Sequence, residues 1–203
     1  MGRVRRLRDD ARELFRRAVL DAAEEVFAEH GYHGARIQDI AGRARVGVGT
    51  IYNHFAQKED VLAALLVERG DEIHAELERR EADPAEFEPQ FRARFGRVVS
   101  FLARHPSFCR LASSLGLFGE EGALDAPIVA IHQAQEARMR ETVAALLAEG
   151  IAQQALAPHP VASLGRFLRG AMKQVLLGTA QDGGDLEAEA AWALELFLRG
   201  ARA

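Results

Sequence analysis

A short stretch near the amino terminus carries small and hydrogen-bonding side chains along one face of a predicted helix. These residues are Val48, Gly49, Thr50, Asn53 and His54. Ile51 and Phe55 lie one helical turn apart on the other face and give the helix a side to bury. Because a small polar face can approach base edges in the major groove, the stretch indicates a DNA-reading helix.

A second short helix is predicted just before this one. Its apolar residues follow helical spacing, and they are Ile37, Ile40, Ala41 and Ala44. Val46 marks the corner between the two helices. Residues 36–58 therefore predict two short helices joined by a tight turn, just behind a basic amino terminus.

Charge is distributed unevenly along the chain. The 203 residues carry a net charge of −4, which by itself argues against a nucleic-acid-binding protein. Residues 1–20, however, hold seven arginines against three acids, whereas residues 61–203 hold fifteen basic and twenty acidic residues. A basic start on an acidic body is typical of a DNA-contacting end attached to a domain that does not bind DNA. The arginines of this start (Arg3, Arg5, Arg6 and Arg8) could lie in a minor groove or form a solvated tail.

Cysteine content and hydropathy indicate the cellular compartment in which the protein is expected. Cys109 is the single cysteine, so no internal disulfide can form and a cytosolic protein is expected. We expect its thiol to be buried as a small apolar group in preference to sensing oxidants. No apolar run approaches the roughly 20 residues that a membrane span needs, and the opening residues do not resemble a signal peptide. These features predict a cytoplasmic protein with no membrane contact.

Helical spacing recurs along nearly the whole chain, and no stretch alternates with a period of two. The sequence therefore predicts an all-α fold of about nine helices. The predicted helices cover approximately residues 10–30, 36–43, 48–55, 58–80, 89–105, a sixth from residue 106, 127–149, 160–179 and 186–199. The proline-containing segment at 81–89 separates the fourth helix from the fifth.

The first helix has a broad apolar stripe made of two adjacent rows. The rows are Leu14, Ala18, Ala22 and Val26, and Phe15, Val19, Ala23 and Phe27. Glu24 and Glu25 are expected to face solvent. Gly31 and Gly34 are expected to end this helix, and Gly150 is expected to end the seventh.

Several of these segments together resemble the tetracycline-repressor (TetR) family of bacterial transcription regulators. The shared segments are VFAEHGYHG before the helix pair, Ile40–Ala41, GTIYNHF at Gly49–Phe55 and KEDVL at Lys58–Leu62. The resemblance implies a three-helix helix-turn-helix DNA-binding domain at residues 1–57 and an effector-binding and dimerisation domain at residues 58–203. It also implies a homodimer through the last two helices, at about residues 160–179 and 185–199, and Leu164, Leu168, Val175, Trp192 and Phe197 are the expected interface residues.

The resemblance also assigns roles to residues of the helix pair. Val48, Gly49 and Thr50 match positions that read base edges, and Gln38 matches one that can reach a base. Tyr52, His54 and Lys58 match positions that hold phosphates, whereas Asn53 could read a base or only solvate its helix. Arg36 is added as a possible phosphate contact, and Arg45 and Gly47 depart from the glycine and serine that are usual at the turn. The complete set of predicted DNA contacts is Arg36, Gln38, Val48, Gly49, Thr50, Tyr52, Asn53, His54 and Lys58.

A pocket for a small effector is expected among the fifth to eighth helices, because such pockets are mostly apolar with a few polar groups. The candidate lining residues are Phe91, Phe95, Phe108, Leu111, Leu115, Phe118, Gln135 and Met139. Aromatic residues and methionine at helical spacing are also typical of an ordinary core, and that alternative stays open.

The sequence contains no activated nucleophile, no phosphate-cradling glycine loop and no persuasive metal-ligand spacing. We therefore expect no enzymatic activity, no metal site and no cofactor. The predicted function is that of a dimeric repressor that leaves a near-palindromic double-stranded DNA operator when a small, largely apolar effector binds. The alternative is a small-molecule carrier or sensor that acts through protein partners and has a vestigial helix-turn-helix.

Overall fold

The computed structural model describes residues 2–80, 86–117 and 126–203. These residues form nine α-helices and no β-strand, which confirms the predicted all-α fold. The helices are α1 (Gly2–Gly34), α2 (Ile37–Ala44), α3 (Val48–Tyr52), α4 (Lys58–Glu78), α5 (Phe87–Arg104), α6 (Pro106–Ser114), α7 (Ala126–Ala152), α8 (Val161–Asp182) and α9 (Leu186–Ala201). None of the described helices is both long enough and apolar enough to cross a membrane.

The first core joins the three amino-terminal helices to α4 and α6. Its most fully buried large side chains are Leu20, Phe27, Ile40, Ile51, Leu62, Leu65 and Leu111. The thiol of Cys109 is buried here too, and burial raises its pKa to about 11, so it behaves as a small apolar group. This core contains residues on both sides of residue 57, and α4 and α6 pack against α1, which also packs against α2.

The second core lies at the other end of the body, between α5, α7, α8 and α9. Phe91 is fully buried at its centre, and its ring stacks on that of Phe197 with the centroids 5.6 Å apart. Arg92 reinforces the same contact from the surface, because its guanidinium bonds Glu88 on its own helix and Glu195 on α9. Helix α5 is therefore fixed to α9 by an aromatic stack and an ion pair.

A buried ionic cluster connects α1, α4 and α6. Arg69 on α4 is only 4 % exposed, and its guanidinium donates to carboxylates of Glu24 (2.7 Å), Asp21 (2.6 Å) and Glu72 (2.9 Å). Burial by itself acts to lower the pKa of Arg69, but these three hydrogen bonds raise it above the ordinary value. The second oxygen of Glu24 accepts a hydrogen bond from the backbone N–H of Phe108 at the start of α6. The prediction that Glu24 faces solvent was wrong, because two other helices bring donors to it.

Helix α1 differs from its prediction at both ends. It begins at Gly2 instead of near Asp10, so the backbone of the arginine-rich start is part of the helix. Leu14 and Ala18 are exposed because the first core begins only at Phe15 and Val19. At the other end, Gly31 leaves helical geometry with φ 68° and ψ 161°, a conformation that is nearly restricted to glycine. The regular part of α1 therefore stops at Gly31, as the sequence predicted.

Three other helix ends also differ from prediction. Helix α3 ends at Tyr52, because the N–H groups of His54 and Phe55 both turn back to the carbonyl of Ile51 and the chain leaves the helix. Helix α8 continues to Asp182, which shortens the predicted loop after it. Helix α7 continues through Gly150 to Ala152. Glycine at this position allows close packing, because the ring of Phe87 lies against its α-carbon.

The contact between Gly150 and Phe87 generates a stability prediction. A β-carbon at position 150 would lie 2.7 Å from the Phe87 ring, whereas a β-carbon at Gly96, an exposed position of α5, would have no neighbour within 4 Å. We expect Gly96→Ala to raise the unfolding free energy by about 0.5–1 kcal/mol through helix propensity alone. Gly150→Ala should be about 1–3 kcal/mol less stable than Gly96→Ala because the core is overpacked. Urea unfolding followed by circular dichroism measures both, and equal shifts would contradict the close contact.

Candidate nucleic-acid interface

The predicted tight turn joins α2 to α3 and is built by backbone hydrogen bonds. Arg45 adopts the left-handed conformation with φ 57° and ψ 40°. Its N–H donates to Gly42 O at 3.3 Å, and the N–H of Val46 donates to Ala41 O at 3.0 Å, so both end carbonyls of α2 are satisfied. Gly47 then caps α3 with an extended backbone. Arg45 thus adopts a left-handed conformation that is disfavoured for a residue with a β-carbon.

Helix α3 presents two distinct faces. Ile51 and Phe55 are buried in the first core, together with Ile40 of α2. The predicted base-reading and phosphate-binding residues lie on the other side: Gln38, Gly49, Thr50, Tyr52, Asn53, His54 and Arg36 are exposed, and Val48 is half-buried. Tyr52 is 50 % exposed although it is a large aromatic residue. All of these predicted contacts except Val48 are therefore exposed to solvent. Their binding to DNA remains a prediction.

Lys58 differs from the other predicted contacts because its ammonium already has acceptors in the protein. It donates to Tyr32 O (2.7 Å), Ala35 O (3.0 Å) and His33 O (3.4 Å) at the end of α1, and it lies over the Tyr32 ring. The Tyr32 hydroxyl donates to Glu59 at 2.7 Å and lowers the pKa of that carboxyl, so Glu59 is charged at neutral pH. We refer to Tyr32, Lys58 and Glu59 as the α1–α4 latch. Sequence reasoning missed this latch, because only the fold brings residues 32–35 next to 58.

His54 also has a neighbour within the protein. Its ring lies against that of Phe15, with the centroids 4.5 Å apart. His54 also borders an open cleft of about 260 Å³, together with Arg12, Glu13, Arg16 and Phe55. Packing against Phe15 holds the exposed imidazole in place, and the phosphate contact predicted for His54 stays a prediction.

The cations around the helix pair fall into two groups. Arg43 is committed to α1, because its guanidinium bonds both carboxylate oxygens of Glu29 and one oxygen of Glu25. This hydrogen bonding lowers the pKa of Glu29 and raises that of Arg43. Arg36 and Arg45 are exposed, and within the described parts of the chain neither forms an ion pair. These two arginines are therefore available to an anionic partner at the start of α2 and at the turn.

The predicted effector residues do not come together in one place. Phe91 and Phe95 are buried in the second core, and Met139 packs against it, whereas Phe108, Leu111 and Leu115 are buried in the first core. Gln135 lies between α4 and α7, where its amide covers Gly70 and reaches towards Asp71. Phe118 falls outside the described residues. Two open clefts lie along α1, and neither is lined by any of these residues. The effector site remains a prediction.

Metal binding has no support in the part of the chain that the structure describes. There, no group of three or more histidine, cysteine, aspartate or glutamate residues is arranged to hold a metal ion.

Comparison with known proteins gives a family match over the segment that contains the helix pair. Residues 19–65 match the family model described as bacterial regulatory proteins, tetR family. The A-factor receptor protein of Streptomyces griseus is 34 % identical over 103 residues, which are 51 % of this chain and 35 % of the relative. The fatty acid metabolism regulator protein of Bacillus subtilis (strain 168) is 45 % identical over 65 residues, or 32 % of each chain. The chain thus matches about a third of the length of these curated relatives.

The structural comparison extends over almost the whole chain. The fatty acid degradation regulator FadR from Bacillus halodurans superimposes with a TM-score of 0.74 and 26 % identity, covering 91 % of this chain and 98 % of that one. The fold and the exposed helix pair define a helix-turn-helix protein with a helical carboxy-terminal body. Residues 19–65 thus match the tetR family of bacterial regulatory proteins, and almost the whole chain shares its fold with a solved regulator. Its relatives are regulators and not enzymes, in agreement with the predicted lack of enzymatic activity.

The α1–α4 latch generates a prediction that separates folding from DNA contact. We expect Lys58→Met to lower the unfolding free energy by about 1–3 kcal/mol, because three carbonyls lose a charged donor. Tyr52→Phe should change stability by less than about 0.5 kcal/mol, since its side chain is exposed. It should weaken DNA binding roughly tenfold if the hydroxyl donates to a phosphate.

Thermal unfolding and fluorescence anisotropy, with a duplex selected by the protein from a random library, measure the two effects. Unchanged stability of the Lys58 variant would contradict the latch, and unchanged affinity of the Tyr52 variant would remove Tyr52 from the predicted DNA contacts.

Proposed function

We propose that the protein is a dimeric transcription repressor that works in the cytoplasm and binds a near-palindromic DNA operator. The observation that carries this proposal is the segment 48–55, formed by α3 and the turn after it, which has a buried side and an exposed side. Its inner residues Ile51 and Phe55 are buried, and its outer residues expose amide, hydroxyl and phenol groups to solvent. Such groups have no packing role there, whereas they match the donors and acceptors on base edges and phosphates.

The proposal assigns different roles to the exposed residues. Gln38 and Asn53 offer the donor and acceptor pair that suits adenine, and the methyl of Thr50 suits that of thymine. Tyr52, Arg36 and Arg45 fix the position of the helix on the backbone without reading sequence. The division into a DNA-binding domain at residues 1–57 and an effector-binding domain at residues 58–203 belongs to this proposal.

The dimer is proposed through α8 and α9, where large apolar side chains are exposed. Trp192 is 66 % exposed, and Phe167 and Leu196 are also exposed. Exposed apolar patches of this kind are typical of protein interfaces. Leu168 and Phe197, which the sequence placed in the interface, belong to the second core of the chain itself. Leu164 and Val175 are half-buried and remain interface candidates with Trp192.

In the proposed mechanism, an effector bound in the body changes the spacing of the two α3 helices. A twofold dimer requires half-sites at a fixed separation, so a small change in that separation lowers affinity. The effector must bind the non-fitting state more tightly than the DNA-bound one, since only differential affinity shifts an equilibrium. The match to a fatty acid degradation regulator supports an apolar effector.

Selection of duplexes from a random library tests the DNA-binding function. We expect an enriched near-palindrome, with an association constant that falls steeply as salt concentration rises because phosphates release counterions. Gln38→Ala should cost about 1–3 kcal/mol and relax preference at a single base position in each half-site. A Gln133→Ala variant, at an exposed position of α7, serves as the control. Absence of any enriched sequence, even at low salt, would contradict the regulator and favour the carrier or sensor.

Light scattering after size-exclusion chromatography tests the dimer. The wild-type protein should have about twice the 22.3 kDa mass of the chain. Trp192→Glu should shift it towards the monomer, because a carboxylate at a buried interface tryptophan costs on the order of 2 kcal/mol or more. Gln133→Glu adds the same charge at an exposed position of α7 and should leave the mass unchanged. A Trp192→Glu protein that stays dimeric would place the interface elsewhere.

A further inference from the structure

Arg94 occupies an unexpected position on α5. It follows Phe91 by three residues and precedes Val98 by four, so it lies within the inward stripe of this helix. Only 5 % of the residue is exposed. A charged residue in the middle of an apolar stripe is unusual, and this irregularity is visible in the sequence alone.

The guanidinium of Arg94 lacks the partners that a buried charge requires. Its Nε is buried without a hydrogen-bond partner, and no ion pair to the group occurs among the residues that the structure describes. Arg69 is equally buried but has three carboxylates. Burying an unpaired charge destabilises the folded protein, so we assign different roles to the two arginines.

The charged neighbours of Arg94 do not compensate for it. Burial lowers the pKa of Arg94, and the nearby cations Arg80 and Arg97 act in the same direction, whereas Glu149 opposes them. Glu149, however, already accepts a hydrogen bond from Arg80 at 3.3 Å. Among the described groups, the surroundings of Arg94 therefore favour an added negative charge.

The buried residues of α5 on either side of Arg94 include three phenylalanines. Phe87, Phe91 and Phe95 are buried and contact one another, with successive ring centroids 5.2 and 4.7 Å apart. Met139 and Met172 pack against the same core and are only partly buried. Methionine side chains adapt easily to a new neighbour, so this end of the body can accept an apolar group.

We infer that Arg94 binds the anionic head group of the effector, a carboxylate or a phosphate, while the apolar part of the effector lies against the phenylalanines of α5. The planar guanidinium suits both head groups because it can donate two parallel hydrogen bonds. This inference rests on the proposed effector-controlled function and adds the charge of the effector and the residue that recognises it.

Calorimetric titration of the full-length protein without DNA tests the inference. The probes are decanoate, decyl phosphate and the neutral decanol, which share one apolar chain. We expect at least one anionic probe to bind, and Arg94→Met to weaken that binding about 30-fold or more through loss of a buried charge partner. The relative affinity for decanoate and decyl phosphate identifies the head group. Arg94→Lys keeps the charge and should bind more tightly than Arg94→Met.

Arg104→Met provides the matched control, because Arg104 lies on the same helix and is exposed. It should bind the probes as the wild type does. Thermal unfolding shows whether each variant is folded, and Arg94→Met should raise the midpoint by about 2–4 °C because an unpaired buried charge is removed. Equal affinity of wild type and Arg94→Met for the anionic probes, or no anionic probe bound by the wild type, would overturn the inference.

Duplex binding, measured separately on the same proteins, distinguishes this inference from the proposed function. Equal affinity of the wild type and Arg94→Met for the anionic probes, with intact DNA binding, would reject only the head-group site. Probe binding that depends on Arg94 in a protein that binds no DNA would reject only the repressor.

Discussion

The carboxylate of Glu24 is the contact on which the arrangement of the helices depends. One oxygen accepts from Arg69 on α4, and the other accepts from the N–H of Phe108 at the start of α6. Removing one partner of such a buried pair costs on the order of 3–5 kcal/mol, because the remaining charge has no solvent around it. Helix α1, which supports the DNA-reading helices, is therefore fixed to α4 and α6 at one point. A displacement of α6 requires either that α1 moves with it or that this network breaks.

Helix α4 is attached to its neighbours along its whole length. Lys58 holds its first turn to the end of α1, and Arg69 holds its middle to the same helix. Buried His74 hydrogen-bonds Thr142 on α7 at 2.8 Å, and Arg97 of α5 donates to backbone carbonyls of the last turn of α4. Because its first turn, its middle and its end are all attached to neighbouring helices, α4 is suited to transmit a displacement as a rigid rod. The second core can thereby influence the helix pair although no residue of α3 contacts it.

Much of the fold could be predicted because helical periodicity records which side of each helix is apolar. It correctly gave the nine helices of the described residues and the buried and exposed sides of the helix pair. The errors concern residues whose environment comes from a distant part of the chain. Glu24 is buried because Arg69 meets it, and Gly150 stays helical because Phe87 packs on it. In the candidate sites, periodicity suggested phenylalanines as effector contacts but passed over Arg94, whose significance depends on the lack of a partner.

Gly31 has a genetic consequence. Its φ of 68° with ψ of 161° lies in a region that residues with a β-carbon almost never enter. Every single-base change of a glycine codon that alters the amino acid introduces a β-carbon. Even alanine or serine at this position would therefore disturb the path of the chain from α1 into the helix pair, although the space around Gly31 is open. Missense alleles at codon 31 should behave alike whatever their side-chain chemistry, since the constraint concerns a torsion angle and no contact.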